Sequence, residues 1–325
     1  MNTKENISTS EMINEAFTLT AYFRTLLRQK NSEKVFNFLL KEGWLTKEQM
    51  EKRWDSFDNV FWEENKDKIS ALVFSSIIEW RWYLLDSLIK EKSDKNTCVI
   101  EVASWFSPRA LNLVNDNWFQ FLDYIEADRQ QVIDLKTKFY TDLKNVKTPW
   151  LSWFNVVDDS MENLEKSIID LKSKNQNLDK ILLFNEWLLI YLTPEEQKVY
   201  FDKIRDFSKK MKNKWIELEF LSIDVATIEN FIDALTFDWF NHNDHEKVNK
   251  KVDPEMWDRL QDTEKEFFDN INIDSNDIEK YFYDEKVFSQ MKLSEIEKYK
   301  TIPNIKDEIR KFLSKDSLYA YSIKL

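Results

Sequence analysis

Three carboxylates near the middle of the chain have the spacing of a metal-binding cluster. Asp158, Asp159 and Glu162 follow the pattern Asp-Asp-x-x-Glu in a segment that is predicted to be helical. Side chains three or four positions apart lie on one face of a helix, and carboxylate oxygens held in this way suit Mg²⁺. One interpretation is therefore a cation site. The other is a solvated acidic first turn, which the helix dipole favours.

This cluster resembles the helix-borne carboxylates with which isoprenoid and terpene synthases hold Mg²⁺ on a diphosphate. The resemblance implies a second motif of the form Asn/Asp-Asp-x-x-Ser/Thr-x-x-x-Glu. The nearest match begins at Asn243 and Asp244, but lysines stand at its hydroxyl and glutamate positions, Lys247 and Lys251. A Mg²⁺-dependent all-helical enzyme is therefore the alternative hypothesis for function. The leading hypothesis assigns no catalytic residue, no metal and no cofactor.

A second group of carboxylates forms a stripe in the last third of the chain. Its members follow one another at steps of four, four and three residues, which places them on one helix face: Asp258, Asp262, Glu266 and Asp269, with Trp257 at the start. Exposed charges of one sign attract a partner of the opposite sign. We predict that this stripe binds a basic protein partner. The alternative is ordinary solubilising charge.

The composition excludes several classes of site. The chain has 1 Gly, 2 His and 1 Cys in 325 residues. Glycine-rich phosphate loops and nucleophile elbows need more than one glycine, and a zinc site with three histidines needs a third histidine. A single cysteine cannot form a disulfide framework within the chain. These absences favour a non-enzymatic protein, and no small-molecule substrate is expected.

The charge and the hydropathy pattern limit the partners further. The formal net charge is −12, which disfavours binding to a nucleic-acid backbone. The strongest apolar run, Ile181–Leu192, is too short for the roughly 20 residues that span a bilayer, and it is predicted to be a core helix. The N-terminal residues lack the apolar region of a secretory signal. We therefore expect no membrane association and a cytoplasmic location.

Helix-start signals predict an all-α fold. The five prolines can all stand at helix starts, four of them directly after a capping residue, as in Ser107–Pro108 and Thr193–Pro194. Gly43 stands where a left-handed residue would end a helix. With so few turn residues, β-hairpins are hard to build. The one strand-like run, Thr97–Val102, is predicted to be a helix or an irregular link.

The same signals recur at an offset of about 146 residues, which predicts an internal duplication. Three pairs of helix starts match in this way: Thr46 with Thr193, Ser107 with Asp253, and Thr148 with Ser294. We therefore predict two tandem helical halves, residues 1–153 and 154–325, packed as one multi-helix body. The function most consistent with this body is an inhibitor or immunity-type protein that neutralises a basic protein.

Overall fold

The protein is described by a computed structural model that defines residues 21, 24, 30–44, 81–82, 84–117, 119–154, 161–186, 188, 192, 194–225, 288–292 and 318–325. The described residues form an α/β structure around one seven-stranded sheet. The predicted all-α fold is therefore wrong.

The sheet has the strand order β3-β2-β1-β4-β5-β7-β6. The first five strands are parallel, whereas β7 runs antiparallel to both of its neighbours, β5 and β6. The strands are β1 (Thr97–Val102), β2 (Asp123–Asp128), β3 (Trp150–Trp153), β4 (Lys180–Glu186), β5 (Glu217–Val225), β6 (Phe288–Lys292) and β7 (Leu318–Lys324). The central strands β1 and β4 pair along six residues of each.

Two of the helices in the described residues precede β1, and the other four connect the parallel strands, as parallel pairing requires. In chain order the helices are α1 (Ser32–Lys41), α2 (residues 84–92), α3 (Arg109–Val114), α4 (Gln130–Asp142), α5 (Glu162–Lys174) and α6 (Pro194–Lys212). The chain runs outward from β1 through β2 to β3, returns through α5 to β4, and then runs outward the other way to β5. The order of the strands thus reverses between β1 and β4.

The central strands form from short apolar runs that are covered on both faces. All six residues of β1 are buried, and in β4 five of the seven residues are buried. Strands covered on both faces carry continuous apolar runs instead of alternating ones, and periodicity alone does not distinguish such runs from buried helices. The predictions for Thr97–Val102 and for residues 181–186 of the second run are therefore wrong.

The predicted duplication is also wrong. The segment expected to begin a helix at Thr148 contains β3 instead. An offset of 146 residues also places strand β4 opposite helix α1, so equivalent positions in the two halves have different secondary structure. The sheet draws β1 to β3 from the first predicted half and β4 to β7 from the second. The boundary between 153 and 154 itself stays a prediction.

Two local predictions are confirmed, at Pro194 and at Gly43. Helix α6 begins at Pro194. At α3 the N-cap is Pro108 and not the predicted Ser107, although the Ser107 Oγ accepts a hydrogen bond from the Arg109 N–H. Gly43 follows α1 with a φ of 75°, and the N–H groups of Gly43 and Trp44 donate to carbonyls in the last turns of that helix. Short-range capping chemistry was therefore predictable even where the fold was not.

One apolar cluster packs α1 and α4 against the turn that follows β1. Phe38 lies 5.3 Å from Phe139 and 6.0 Å from Phe106 between ring centroids. Trp105 joins this cluster and makes an edge contact with Phe106. The turn after β1 is thereby fixed on its outer side. Among the described residues, no helix is both long and apolar enough to cross a membrane.

Candidate functional site

The candidate site lies where the strand order reverses. In an open parallel sheet, the chain leaves β1 and β4 in opposite directions, and this creates a crevice beyond their carboxyl ends. Three acidic residues stand at this edge of the sheet: Glu101 near the end of β1, Asp128 at the end of β2 and Glu186 at the end of β4. All three are largely buried. Buried carboxylates need partners, and the partners define the site.

The turn after β1 has an unusual backbone. Ala103 has a φ of 53° and Trp105 a φ of 37°, in the left-handed region that glycine ordinarily occupies. Each such residue costs about 1–2 kcal/mol. The Ala103 N–H donates to the Ala127 carbonyl at 2.8 Å, and the Ser107 N–H donates to the Ser104 carbonyl at 3.0 Å. Backbone strain of this kind concentrates at functional sites.

Asp128 anchors this turn to β2. Its Oδ2 accepts a hydrogen bond from the Trp105 N–H at 2.7 Å, and its Oδ1 accepts one from the Arg129 N–H at 2.8 Å. Burial raises the pKa of Asp128, against the lowering effect of Lys136 and these two N–H groups. Each carboxylate oxygen has two acceptor sites. Asp128 therefore retains acceptor capacity beside the strained turn.

Arg109 joins the ends of β1 and β4. Its Nε donates to Asp86 at 2.8 Å, and its Nη1 donates to Glu186 at 2.6 Å and to Glu101 at 3.2 Å. The Tyr124 hydroxyl donates to the other oxygen of Glu101 at 2.7 Å. The Arg109 side chain is fully buried, so these charge-assisted bonds replace its hydration.

Two guanidinium groups lie close to the ring of Trp82. The Cζ of Arg109 is 4.3 Å from the centroid of the Trp82 ring, and that of Arg24 is 5.0 Å away. Both distances are within the range of a cation–π contact. Arg81 is adjacent in sequence, and its Nη2 lies 3.3 Å from Glu186. Arg81 is therefore part of a buried ion pair with Glu186.

The cluster balances three guanidinium groups against three carboxyls. Burial raises the pKa of Glu186, but Arg109, Arg81 and Arg24 outweigh it and lower the value to about 2. Burial also raises the pKa of Asp86, and there the pairing with Arg109 is outweighed, so the value is about 6. Glu186 is thus ionised at neutral pH.

Several buried polar atoms of this cluster have no hydrogen-bond partner among the described residues, and two of them are donors beside Trp82. They are the Nη2 of Arg109 and the Nε of Arg24. A buried donor of a charged group that lacks an acceptor is costly, and native structures rarely leave such groups without a partner. Both donors belong to residues that contact Trp82. The arrangement therefore suits an anionic group bound beside this ring.

A second buried charge cluster lies behind the turn. The Lys136 Nζ donates to Glu126 Oε1 at 2.5 Å and to the Ser104 Oγ at 2.9 Å. The Tyr140 hydroxyl donates to Glu126 Oε2 at 2.6 Å. Burial raises the pKa of Glu126 to about 7, and Lys136 opposes this shift. Helix α4 is thereby connected to the turn through polar groups as well as through the apolar cluster.

Replacement of Glu126 by Gln is expected to weaken the pH dependence of stability between about pH 5 and pH 8. Because the pKa of Glu126 is about 7 in the folded protein and 4.5 as its ordinary value, the folded state retains a proton that the unfolded state has released. The free energy of unfolding of the wild type therefore falls as the pH rises through this interval. Over the same interval the free energy of unfolding of the variant should fall by less, the difference being on the order of 1–3 kcal/mol.

Urea denaturation across this pH interval measures the difference. Glu217→Gln, at an exposed carboxylate at the start of β5, is the control and should follow the wild type. Parallel pH profiles for all three proteins would contradict the prediction.

The sequence-predicted sites do not coincide with this region. Glu162 begins α5 and is exposed, whereas Asp158 and Asp159 lie outside the described residues. The acidic stripe also lies outside them: Trp257, Asp258, Asp262, Glu266 and Asp269. Within the described part of the chain, no group of three or more His, Cys, Asp or Glu side chains could hold a metal ion.

Several solved structures are similar to this chain, whereas sequence comparisons find no match. No protein-family model matches the sequence, and no curated protein is significantly similar to it. The methyltransferase domain of bacterial CtHen1-CN is 12% identical, with a TM-score of 0.40, and the match covers 76% of this chain and 98% of that chain.

Two further solved structures are similar to this chain. Magnesium protoporphyrin IX methyltransferase from Synechocystis PCC 6803, with bound SAH, is 8% identical with a TM-score of 0.39, over 84% of this chain and 93% of that one. A duf574 family protein from Streptomyces avermitilis is 9% identical with a TM-score of 0.43, over 83% and 95%. Similarity at this level does not by itself assign a function.

The functional predictions from sequence are corrected accordingly. The inhibitor or immunity-type hypothesis and the isoprenoid-synthase alternative both required an all-helical body, and the sheet excludes it. The prediction that the protein is not an enzyme rested on the same all-helical body and is corrected with it. For the same reason, a basic protein partner without any small-molecule substrate is the wrong expectation. The cytoplasmic location stays a prediction.

Proposed function

We propose that this chain is an S-adenosylmethionine-dependent methyltransferase that acts on a small molecule. The observation that carries the proposal is the sheet order, in which β7 runs antiparallel between β5 and β6. Dinucleotide-binding sheets of order 3-2-1-4-5-6 lack such an inserted reversed strand. A reversed strand at this place is typical of methyltransferases that use S-adenosylmethionine.

The residues at the switch point fit such a cofactor. Asp128 stands at the end of β2, where an acidic residue accepts hydrogen bonds from ribose hydroxyls in related α/β folds. The turn after β1 keeps left-handed geometry at Ala103 and Trp105, although neither residue is glycine. The donors of Arg109 and Arg24 that have no acceptor among the described residues suit the carboxylate of the amino-acid part.

When bound, the cofactor supplies a methyl group activated on a positively charged sulfur. The chain itself would bind the cofactor, orient it and exclude water from it. Arg109 and Arg24 would hold the carboxylate, and Asp128 would hold the ribose. Glu186 stays ionised, because its pKa is about 2, so it holds Arg109 and Arg81 in place at neutral pH. Side chains that are already held in place reduce the entropy cost of bringing two reactants together.

Calorimetric titration tests the proposal with two ligands. S-adenosylhomocysteine carries the amino-acid part, whereas 5′-methylthioadenosine lacks it. We expect the wild type to bind the first more tightly, and NAD not to bind. Binding of NAD without S-adenosylhomocysteine, or binding of neither, would overturn the proposal.

Substitution of Arg24 tests whether this residue binds the carboxylate of the amino-acid part. Arg24→Met keeps an apolar side chain on Trp82 but removes the donor, and hydrogen bonds to charged groups contribute about 1.5–3 kcal/mol. The preference for S-adenosylhomocysteine over 5′-methylthioadenosine should therefore fall by about tenfold or more. Arg205→Met, on the surface of α6 beside Asp202, is the matched control and should leave the preference unchanged. A change in overall fold would weaken both ligands alike and leave their ratio unaltered.

A further inference from the structure

The turn after β1 is held from behind by a buried lysine. Lys136 lies on α4 with 2% of its side chain exposed, and its Nζ reaches the Ser104 Oγ at 2.9 Å. Ser104 stands between the two left-handed residues, Ala103 and Trp105. The lysine therefore contacts the strained segment at its centre, from a helix that belongs to a different connection of the sheet.

The carboxylates around Lys136 come from two strands, β1 and β2, and its own helix contributes the Tyr140 hydroxyl. Glu126 accepts a hydrogen bond from Lys136 and another from Tyr140 of the same helix. The positive charge of Lys136 lowers the pKa of Asp128, and the Asp128 carboxylate accepts a hydrogen bond from the Trp105 N–H. Glu101, on the neighbouring strand, faces Glu126 across the sheet. Lys136 thus supports the turn directly through Ser104 and indirectly through the carboxylate that binds Trp105.

Stability alone does not explain this cluster. A buried ion pair is often no more stable than apolar residues of similar volume, and the same space is already lined by the apolar cluster of α1 and α4. Left-handed residues other than glycine persist only when their surroundings over-determine them. A buried, directional donor supplies that constraint, whereas apolar contacts fix a backbone less specifically.

We infer that Lys136 is a positioning residue that holds residues 103–105 in the geometry needed at the candidate site. Its effect on ligand affinity rests on the proposed function, whereas its effect on the turn does not. The Glu126 carboxylate orients the ammonium group, and Ser104 is the point at which the constraint reaches the turn.

Hydrogen–deuterium exchange of the turn tests this role without any ligand. Ser104→Ala removes the acceptor and leaves the pair of Lys136 and Glu126 intact. The amides of residues 103–105 should then exchange about tenfold faster or more, as the loss of a charge-assisted hydrogen bond implies, while those of residues 99–102 in β1 stay protected. Ser167→Ala on α5, whose hydroxyl donates to the Asn163 carbonyl, is the control and should not affect the turn.

A double variant separates positioning from stability. Lys136→Met with Glu126→Gln removes both charges, so it should unfold near the wild-type temperature. If Lys136 positions the turn, the amides of residues 103–105 should exchange as fast in this variant as in Ser104→Ala. Unchanged exchange in both variants, or faster exchange only together with the whole sheet, would overturn the inference.

Calorimetry with S-adenosylhomocysteine on the same proteins completes the test. Affinity should fall several-fold in both variants and stay unchanged in the control. A turn that loosens without any loss of affinity would refute the link to binding. If the wild type itself binds no S-adenosylhomocysteine, the proposed function fails, and the exchange data still decide whether Lys136 holds the turn.

Discussion

Replacement of Arg109 by Met should destabilise the protein by about 3–5 kcal/mol. The guanidinium group contacts Asp86, Glu101 and Glu186, and its side chain is fully buried. Met fills part of the volume but leaves three carboxyls facing one another without their shared cation. The cost arises from the buried charge that remains. Urea denaturation at neutral pH measures it.

The control for this variant is an arginine in an exposed pair. Arg205 lies 3.7 Å from Asp202 on the surface of α6, with 30% of its side chain exposed. Surface pairs contribute about 0–1 kcal/mol, so Arg205→Met should differ little from the wild type. Equal losses in the two variants would mean that the Arg109 cluster is not a stabilising element of the central sheet.

Replacement of Phe184 by Ala should also cost about 3–5 kcal/mol, for a different reason. Phe184 is completely buried in β4, and its ring lies 6.4 Å from that of Tyr124 and 5.8 Å from the Arg109 Cζ. Its removal leaves a cavity at the centre of the sheet, beneath the candidate site. Thermal or urea unfolding measures the loss, and the sheet has little freedom to collapse because strands pair on both sides of β4.

An exposed apolar side chain on a helix provides the comparison. Val199 on α6 is 41% exposed, and surface changes usually alter stability by no more than about 0.5 kcal/mol. Val199→Ala should therefore remain close to the wild type. A small effect of Phe184→Ala would contradict the position of β4 as a central strand.

The parallel sheet could not be predicted from hairpin signals. The sequence has 1 Gly and 5 Pro, which argues against tight hairpins but not against parallel strands, because helical crossovers connect those. The runs Thr97–Val102 and Ile181–Leu192 were visible in the sequence. Short apolar runs that are buried on both faces resemble buried helices when periodicity alone is considered. Their alternation with helix-start signals is what indicates an α/β fold.

The candidate site depends on residues far apart in sequence. Arg109 donates hydrogen bonds to Glu186, 77 positions away in sequence, and to Asp86, 23 positions away. No local sequence pattern encodes such long-range contacts. One signal was available, since Glu101 stands near the end of the run Thr97–Val102 and Glu186 interrupts the run Ile181–Leu192. An acidic residue at that place becomes informative only once the run is recognised as a strand whose carboxyl end borders the crevice.

The position of β7 has a consequence for how the chain folds during synthesis. β5 ends at Val225 and its partner β7 begins at Leu318, so about 90 residues separate the two. At ribosomal rates of about 5–20 residues per second, β5 is an open edge for roughly 5–20 s. Leu218, Phe220 and Leu221 of that strand are buried in the finished sheet, and unpaired edges of this kind recruit other chains. The nascent chain is therefore most exposed to misassembly in that interval, when a chaperone would protect it most effectively.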